Sequence, residues 1–276
     1  MIKRIFLGVI LFIYIILLFF SACTSLTKKQ PHISHVRLMD KMLSSYDNDY
    51  LPYQNFIFIE KSVYFNEDEQ SFCSGNDLSL GCSFVKYGQG SGIAVDHKKN
   101  KIRILTAHHV CEEQTFEALS LIFKNKEGEY DYPTFKLKVH FYGKEYGAII
   151  TKTDPDNDLC LLEIQSEFAY KVKKIEVAPE KPRIGETVYS LSAPLGIASD
   201  FTRMKFRGSW SGCDSDLTLE DYCYYTIPAA PGSSGSGVFN RQGELVSIIS
   251  IAMSGFDEIS AGPRQFHINQ ILTAKD

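Results

Sequence analysis

The feature that most constrains this chain is the spacing of its apolar segments. Phe56 to Glu60, Gly92 to Val95, Ile102 to Thr106, Phe135 to Phe141, Gly147 to Lys152, Leu159 to Ile164, Thr187 to Leu191, Met204 to Phe206, Tyr222 to Ile227 and Leu245 to Ile251 are short apolar or alternating runs, most of them separated by Gly, Asn, Asp or Pro. Runs of this length have the period of strands, and little between them sustains the 3.6-residue period of a helix. Only Phe266 to Leu272 reads as a short amphipathic helix, packing back on the strands. Many short strands divided by turns predict an all-β barrel or sandwich. The 276 residues, 44% of them hydrophobic, can bury one large core or two small ones sharing an interface. Ala178 to Gly185 (APEKPRIG) is the clearest seam, with two prolines and mixed charges, and divides the folded part into residues 51–178 and 179–276.

The N-terminus directs the chain out of the cytoplasm. Lys3 and Arg4 precede an apolar run from Ile5 to Phe20, followed by Ser21, Ala22 and Cys23, the layout of an export signal. The stretch is similar to bacterial lipoprotein signal peptides, which implies cleavage after residue 22 and a lipidated Cys23 as the new N-terminus. Phe20, where that pattern prefers an aliphatic residue, is a departure, and an uncleaved membrane anchor is the competing reading. Thr24 after Cys23 is compatible with outer-membrane sorting. The polar residues 23–50 then read as lipid anchor and tether. A formal net charge of -4 gives no electrostatic footprint for nucleic acid.

Six cysteines remain once Cys23 is set aside, an even number that suits an oxidising compartment. Cys73 and Cys82 bracket one polar stretch and Cys213 and Cys223 another, so each pair is expected to staple a loop. Cys111 and Cys160 are expected to be two buried thiols, the common state of a core cysteine.

Three strings carry chemistry. Pro231-Gly232-Ser233-Ser234-Gly235-Ser236-Gly237 interleaves glycine and serine ahead of an apolar run, which suits an exposed nucleophilic hydroxyl on a tight turn. On this reading Ser234 attacks, and the N–H groups of Gly232 and Ser234 form an oxyanion hole. A serine needs a base. His109, at the end of the apolar run Ile104-Leu105-Thr106-Ala107-His108-His109, is the candidate, with His108 the neighbouring alternative. Asp158, where the turn Asp154-Pro155-Asp156-Asn157 runs into Leu159-Cys160-Leu161-Leu162, is the candidate partner of the imidazole, with Asp154 and Asp156 as alternatives. No His-Glu-x-x-His or Cys-x-x-Cys spacing points to a metal.

Taken together, these strings resemble the trypsin-like serine peptidases, in particular the bacterial branch that includes glutamyl endopeptidases and the high-temperature-requirement proteases. The resemblance spans about residues 85–272 and adds Gly90-Ser91-Gly92 and Ser192-Ala193-Pro194-Leu195-Gly196 to the three strings. It implies two six-stranded antiparallel β-barrels with the active site in the cleft between them. It also implies acyl-enzyme hydrolysis of protein or peptide substrates, with no metal or organic cofactor. Gly237 stands where the family often has Pro, and no Ile-Val-Gly-Gly-like activation site is present. The resemblance places Pro228 and Ala229 on one wall of the primary pocket and Ile249 and Ser250 on the other. With no acid there, small or apolar side chains are the expected preference. The chain ends soon after Ile271, which leaves no room for an appended recognition domain. The competing function is a catalytically silent lipoprotein of the same fold that binds peptides. The order His, Asp, Ser and the lack of helices alternating with strands argue against an α/β-hydrolase.

Overall fold

The computed structural model describes residues 50–64, 84–112, 134–199, 202–214, 222–253 and 255–274. Cys23 and the predicted Cys73–Cys82 pair lie outside these residues. The protein is mostly β, with two antiparallel sheets.

The first sheet comprises β1 (Phe56–Tyr64), β2 (Phe84–Lys98), β3 (Lys101–Thr106), β4 (Thr134–Phe141), β5 (Lys144–Gly147), β6 (Ile149–Asp154) and β7 (Leu159–Gln165), in the order β5-β4-β1-β2-β3-β7-β6. The second comprises β8 (Thr187–Ser192), β9 (Met204–Asp214), β10 (Tyr222–Tyr225), β11 (Gly237–Phe239), β12 (Leu245–Ile248), β13 (Ile251–Met253) and β14 (Phe256–Pro263), in the order β12-β11-β8-β9-β10-β14-β13.

Among the described residues each sheet has seven strands rather than the six expected from the resemblance, and the reason is the same in both. β5 and β6 are separated only by Ala148 yet pair with opposite edges, β5 with β4 and β6 with β7. One bent segment therefore joins the two edges and is counted twice. In the second sheet, β12 and β13 are parted by Ile249 and Ser250 and again pair at opposite edges, with β11 and β14. The run Leu245 to Ile251, expected to be one strand, is broken because Ile249 turns its backbone elsewhere: its N–H donates to Ser236 O at 2.8 Å and its carbonyl accepts from Gly235 N at 2.7 Å.

Period-2 alternation drives the packing. On β1, Ile57 and Ile59 are fully buried, on the sheet face that also carries the buried Ile104, Leu137, Val139 and Leu162. In the second sheet Val188, Trp210, Tyr225, Val238 and Ile249 form one cluster, with the Trp210 and Tyr225 rings stacked at 6.0 Å. Each such side chain contributes roughly 1.5–3 kcal/mol on burial. Cys213 and Cys223 sit opposite each other on β9 and β10 and are joined by a disulfide.

Two segments bind the sheets to one another. Residues 176–178 pair with β12 of the second sheet through Leu245 N to Glu176 O and Ala178 N to Leu245 O, both 2.9 Å. The helix α2 (Gln265–Thr273) follows β14 but packs on the first sheet, where Arg103, ion-paired with Asp96, donates to Leu272 O at 3.1 Å.

Candidate active site

β3 ends at Thr106, directly opposite Cys160 of β7, so the residues after β3 and those before β7 leave the sheet side by side. After β3 the chain makes a single helical turn, α1 (His108–Cys111). Before β7 it makes the turn 154–158, in which Asp154 accepts from both the N–H and the side-chain amide of Asn157, and Asp158 N donates to Pro155 O at 3.2 Å. That turn leaves Asp158 at φ 50°, a left-handed conformation that aspartate tolerates better than most residues.

The two turns interlock. His108 N donates to Asp158 O at 3.0 Å and His109 N to Asp158 Oδ1 at 2.9 Å. The His109 ring meets the same carboxylate, with Nδ1 at 3.0 Å from Oδ1 and 2.9 Å from Oδ2. The pairing assigns the Nδ1 proton to the carboxylate side and leaves Nε2 as the free basic nitrogen. Of the three carboxylates considered, Asp154 is engaged within its own turn, Asp156 is exposed, and Asp158 faces the imidazole. His108 contributes its backbone to the same junction. Nearby, the Tyr222 hydroxyl is pushed up to about 12, by burial first and then by the negative charge of Asp158.

A disulfide joins Cys111, in α1, to Cys160, in β7, which corrects the expectation of two buried thiols. Spacing explains the error. Each cysteine lies two residues beyond a partner in the His109–Asp158 pair, and that pair brings the two backbones together. The bridge closes a separation of 49 residues, for which removal is expected to cost about 2–4 kcal/mol. Urea titration of Cys111→Ser/Cys160→Ser against the parent protein measures it, and an unchanged midpoint would contradict a stabilising role.

Ser234 lies on the loop before β11. Ser91, fully buried on β2, fixes this loop at two points: its N–H donates to Ser234 O at 2.8 Å and its hydroxyl to Gly232 O at 2.8 Å. The same hydroxyl accepts from Ala193 N at 3.0 Å. Peptide geometry then sets the neighbouring N–H groups, because N–H and C=O of a trans peptide point in opposite directions. The carbonyl sharing a peptide with Gly232 N–H is Pro231 O, held by Leu195 N at 2.6 Å, and the one sharing with Ser234 N–H is Ser233 O, held by Ser236 N at 3.1 Å. Among the described residues neither N–H meets an acceptor, so both remain available to an incoming anion. The loop abuts the histidine turn. A side-chain carbon on Gly90 would lie 2.7 Å from Val110 Cγ1 and 3.4 Å from Ser234 O, and one on Gly235 would lie 3.0 Å from Ala107 N.

The remaining expected positions differ in exposure. Ala229 and Ile249 are buried in one core cluster, Ser250, next to Ile249 in sequence, is also buried, and Pro228, next to Ala229, is exposed. None of the four lines the cavity of about 400 Å³ bordered by Phe58, Glu60, His140, Tyr142, Gly196 and Arg203. Among the described residues no group of three His, Cys, Asp or Glu side chains is placed to hold a metal ion. In the sequence Ser91 stands out only as part of Gly90-Ser91-Gly92, and its two contacts with the loop of Ser234 are not legible there.

The family described as Trypsin-like peptidase domain matches residues 90–248, more than half of the chain. The chain belongs to this family. The matched range contains Ser91, His109, Asp158, Gly232 and Ser234, and ends just before Ile249 and Ser250. Over 192 residues, 66% of this chain and 38% of the relative, it is 29% identical to the serine protease Do-like HtrA of Bacillus subtilis. Over 110 residues, 39% of this chain and 22% of the relative, it is 33% identical to a probable periplasmic serine endoprotease, DegP-like, of Marinomonas. The chain thus spans well under half the length of these relatives. The fold is similar to that of the serine endoprotease from Yersinia pestis, with a TM-score of 0.52, 17% identity, and coverage of 84% of this chain and 65% of the other.

Proposed function

We propose that this trypsin-like peptidase domain is a serine endopeptidase working in the cleft between its two curled sheets, the barrels of the fold. His109 Nε2 takes the proton of the Ser234 hydroxyl as Oγ attacks the scissile carbonyl. Asp158 holds the ring and stabilises the imidazolium that forms. The tetrahedral oxyanion is received by Gly232 N–H and Ser234 N–H. Its collapse expels the amine, which takes its proton from His109, and leaves an acyl-enzyme for water to hydrolyse by the same steps. The observation that carries this reading is the bidentate approach of Asp158 to the His109 ring and backbone, at 2.9–3.0 Å, beside a serine loop whose oxyanion donors are unspent.

Substrate is proposed to bind as an added antiparallel strand along β13, which lies at the edge of its sheet. Its cleaved residue would be small or apolar, set among Pro228, Ala229, Ile249 and Ser250. The names of the relatives and the N-terminal signal support an exported enzyme tethered through lipidated Cys23, with the halves 51–178 and 179–276 as its two barrels. Among the described residues no helix is long and apolar enough to cross a membrane.

One observation favours the alternative of a silent peptide-binding lipoprotein: among the described residues the Ser234 hydroxyl forms no hydrogen bond. Apo serine hydrolases often show a loose serine–histidine contact that tightens on binding, so the enzyme reading stands first. A labelled fluorophosphonate separates the two. Covalent labelling of the parent protein and none of Ser234→Ala is the expected result, whereas an unlabelled parent protein would leave the binding protein as the better account.

A further inference from the structure

β1 places a lysine where its pattern calls for an apolar side chain. Ile57, Ile59 and Lys61 alternate on one face, and all three are buried, Lys61 at 5% exposure. A lysine inside a core is costly unless its ammonium is engaged. Here the ammonium travels across the neighbouring strand where Gly88, the partner of Lys61 in the β1–β2 ladder, has no side chain. A carbon on Gly88 would lie 3.0 Å from Lys61 Cδ. The Nζ reaches the carbonyl of His109 at 2.8 Å. It also lies 5.9 Å from the centre of the Phe135 ring, and Glu112, one residue beyond α1, supplies a favourable negative charge. Burial lowers the lysine from its usual range, and Glu112 opposes that shift.

From this geometry we infer that Lys61 is a positioning residue for His109. The inference rests on the reading of His109 as the general base. Among the described residues the imidazole is otherwise steered from one side, by Asp158 at its Nδ1 and at its backbone N–H. The ammonium grips the opposite end of the same residue, its carbonyl. Two grips on one residue fix the rotation of its peptide frame, and with it the direction of Nε2. Catalysis is sensitive to such placement, since a misplacement of 1 Å can cost about 10² in rate.

Lys61→Met fills similar volume without a donor, and Lys61→Arg retains charge and donors. The full exported chain is measured in two ways. In saturation kinetics with a fluorophosphonate, Lys61→Met is expected to lower the maximal labelling rate by roughly 10- to 100-fold with the half-saturating concentration within about twofold, and Lys61→Arg to recover most of it. In proton NMR, the low-field signal of His109 Nδ1–H is expected to be lost or broadened in Lys61→Met and retained in Lys61→Arg. If Lys61→Met does not fold, Lys61→Gln, too short to reach the carbonyl, is expected to show the same two losses. Folded Met or Gln variants that label at the parent rate with an unchanged NMR signal would overturn the inference. An unlabelled parent protein would instead overturn the reading of Ser234 and His109 as catalytic, and the NMR comparison would still decide the role of Lys61.

Discussion

Asp158→Asn is expected to reduce kcat by roughly 10³- to 10⁴-fold while leaving the fold intact. The structure explains why so small a change has so large an effect. Asp158 Oδ1 accepts from His109 N at 2.9 Å, so an asparagine must place its oxygen there to keep that bond, which puts its amide NH2 at the Oδ2 position, facing His109 Nδ1 at 2.9 Å. A donor facing Nδ1 demands a lone pair on that nitrogen, and the ring proton moves to Nε2. In that tautomer the imidazole cannot accept the Ser234 proton. Turnover of a labelled protein substrate measures the loss, and thermal unfolding within a few degrees of the parent shows that the turn has survived. A variant retaining more than a tenth of the parent kcat would remove Asp158 from the mechanism.

Gly235→Ala is expected to cost about 3–6 kcal/mol of stability and to abolish labelling at Ser234. Gly235 sits at φ 84°, and a carbon added to it would lie 2.1 Å from both Ser91 O and Thr106 Oγ1. These two atoms hydrogen-bond each other at 2.7 Å, so the methyl group would enter an existing bond. The left-handed conformation costs an alanine about 1–2 kcal/mol, overpacking a further 1–3, and the lost hydrogen bond about 1. Gly185 is the internal control. It has the same φ of 84° with open space where the carbon would go, and alanine there should show only the conformational part, about 1–2 kcal/mol. Urea midpoints of the two variants give the difference, and equal losses would show that steric exclusion by Ser91 and Thr106 is unimportant.

Much of this arrangement is legible in the sequence because its determinants are local. The chain His109, Asp158, Ser234 is marked by small residues and turn formers next to apolar runs, and the strands bearing large alternating side chains, such as Ile57 and Ile59 on β1, declare themselves. What escapes is set by contacts far apart in sequence. β14 (FDEISAGP) is sheet-internal, yet its buried Ser260 and Ala261 are too small to give a hydrophobic period. β5 (KEYG) is polar because it is half solvated. The break after Ile248 is dictated by Gly235 and Ser236, which call Ile249 out of the ladder. Lys61 occupies a core position in a readable alternation, but its acceptor, the His109 carbonyl, lies 48 residues away. The Cys111–Cys160 bridge follows from the His109–Asp158 pairing, which only the folded turns reveal.

The grip of Ser91 on the serine loop has a consequence for the order in which the site is assembled. Its hydroxyl and Gly232 O are 141 residues apart in sequence, so the contact closes only after most of the chain has been delivered and both sheets have curled. Such long-range closures are the slow, late events of β-rich folding. Until then the N–H groups of Gly232 and Ser234 have no fixed direction, and the serine loop does not yet lie against the turn that carries His109. In a nascent chain the proposed site is therefore incomplete by topology, and it is assembled only with the final non-local contact.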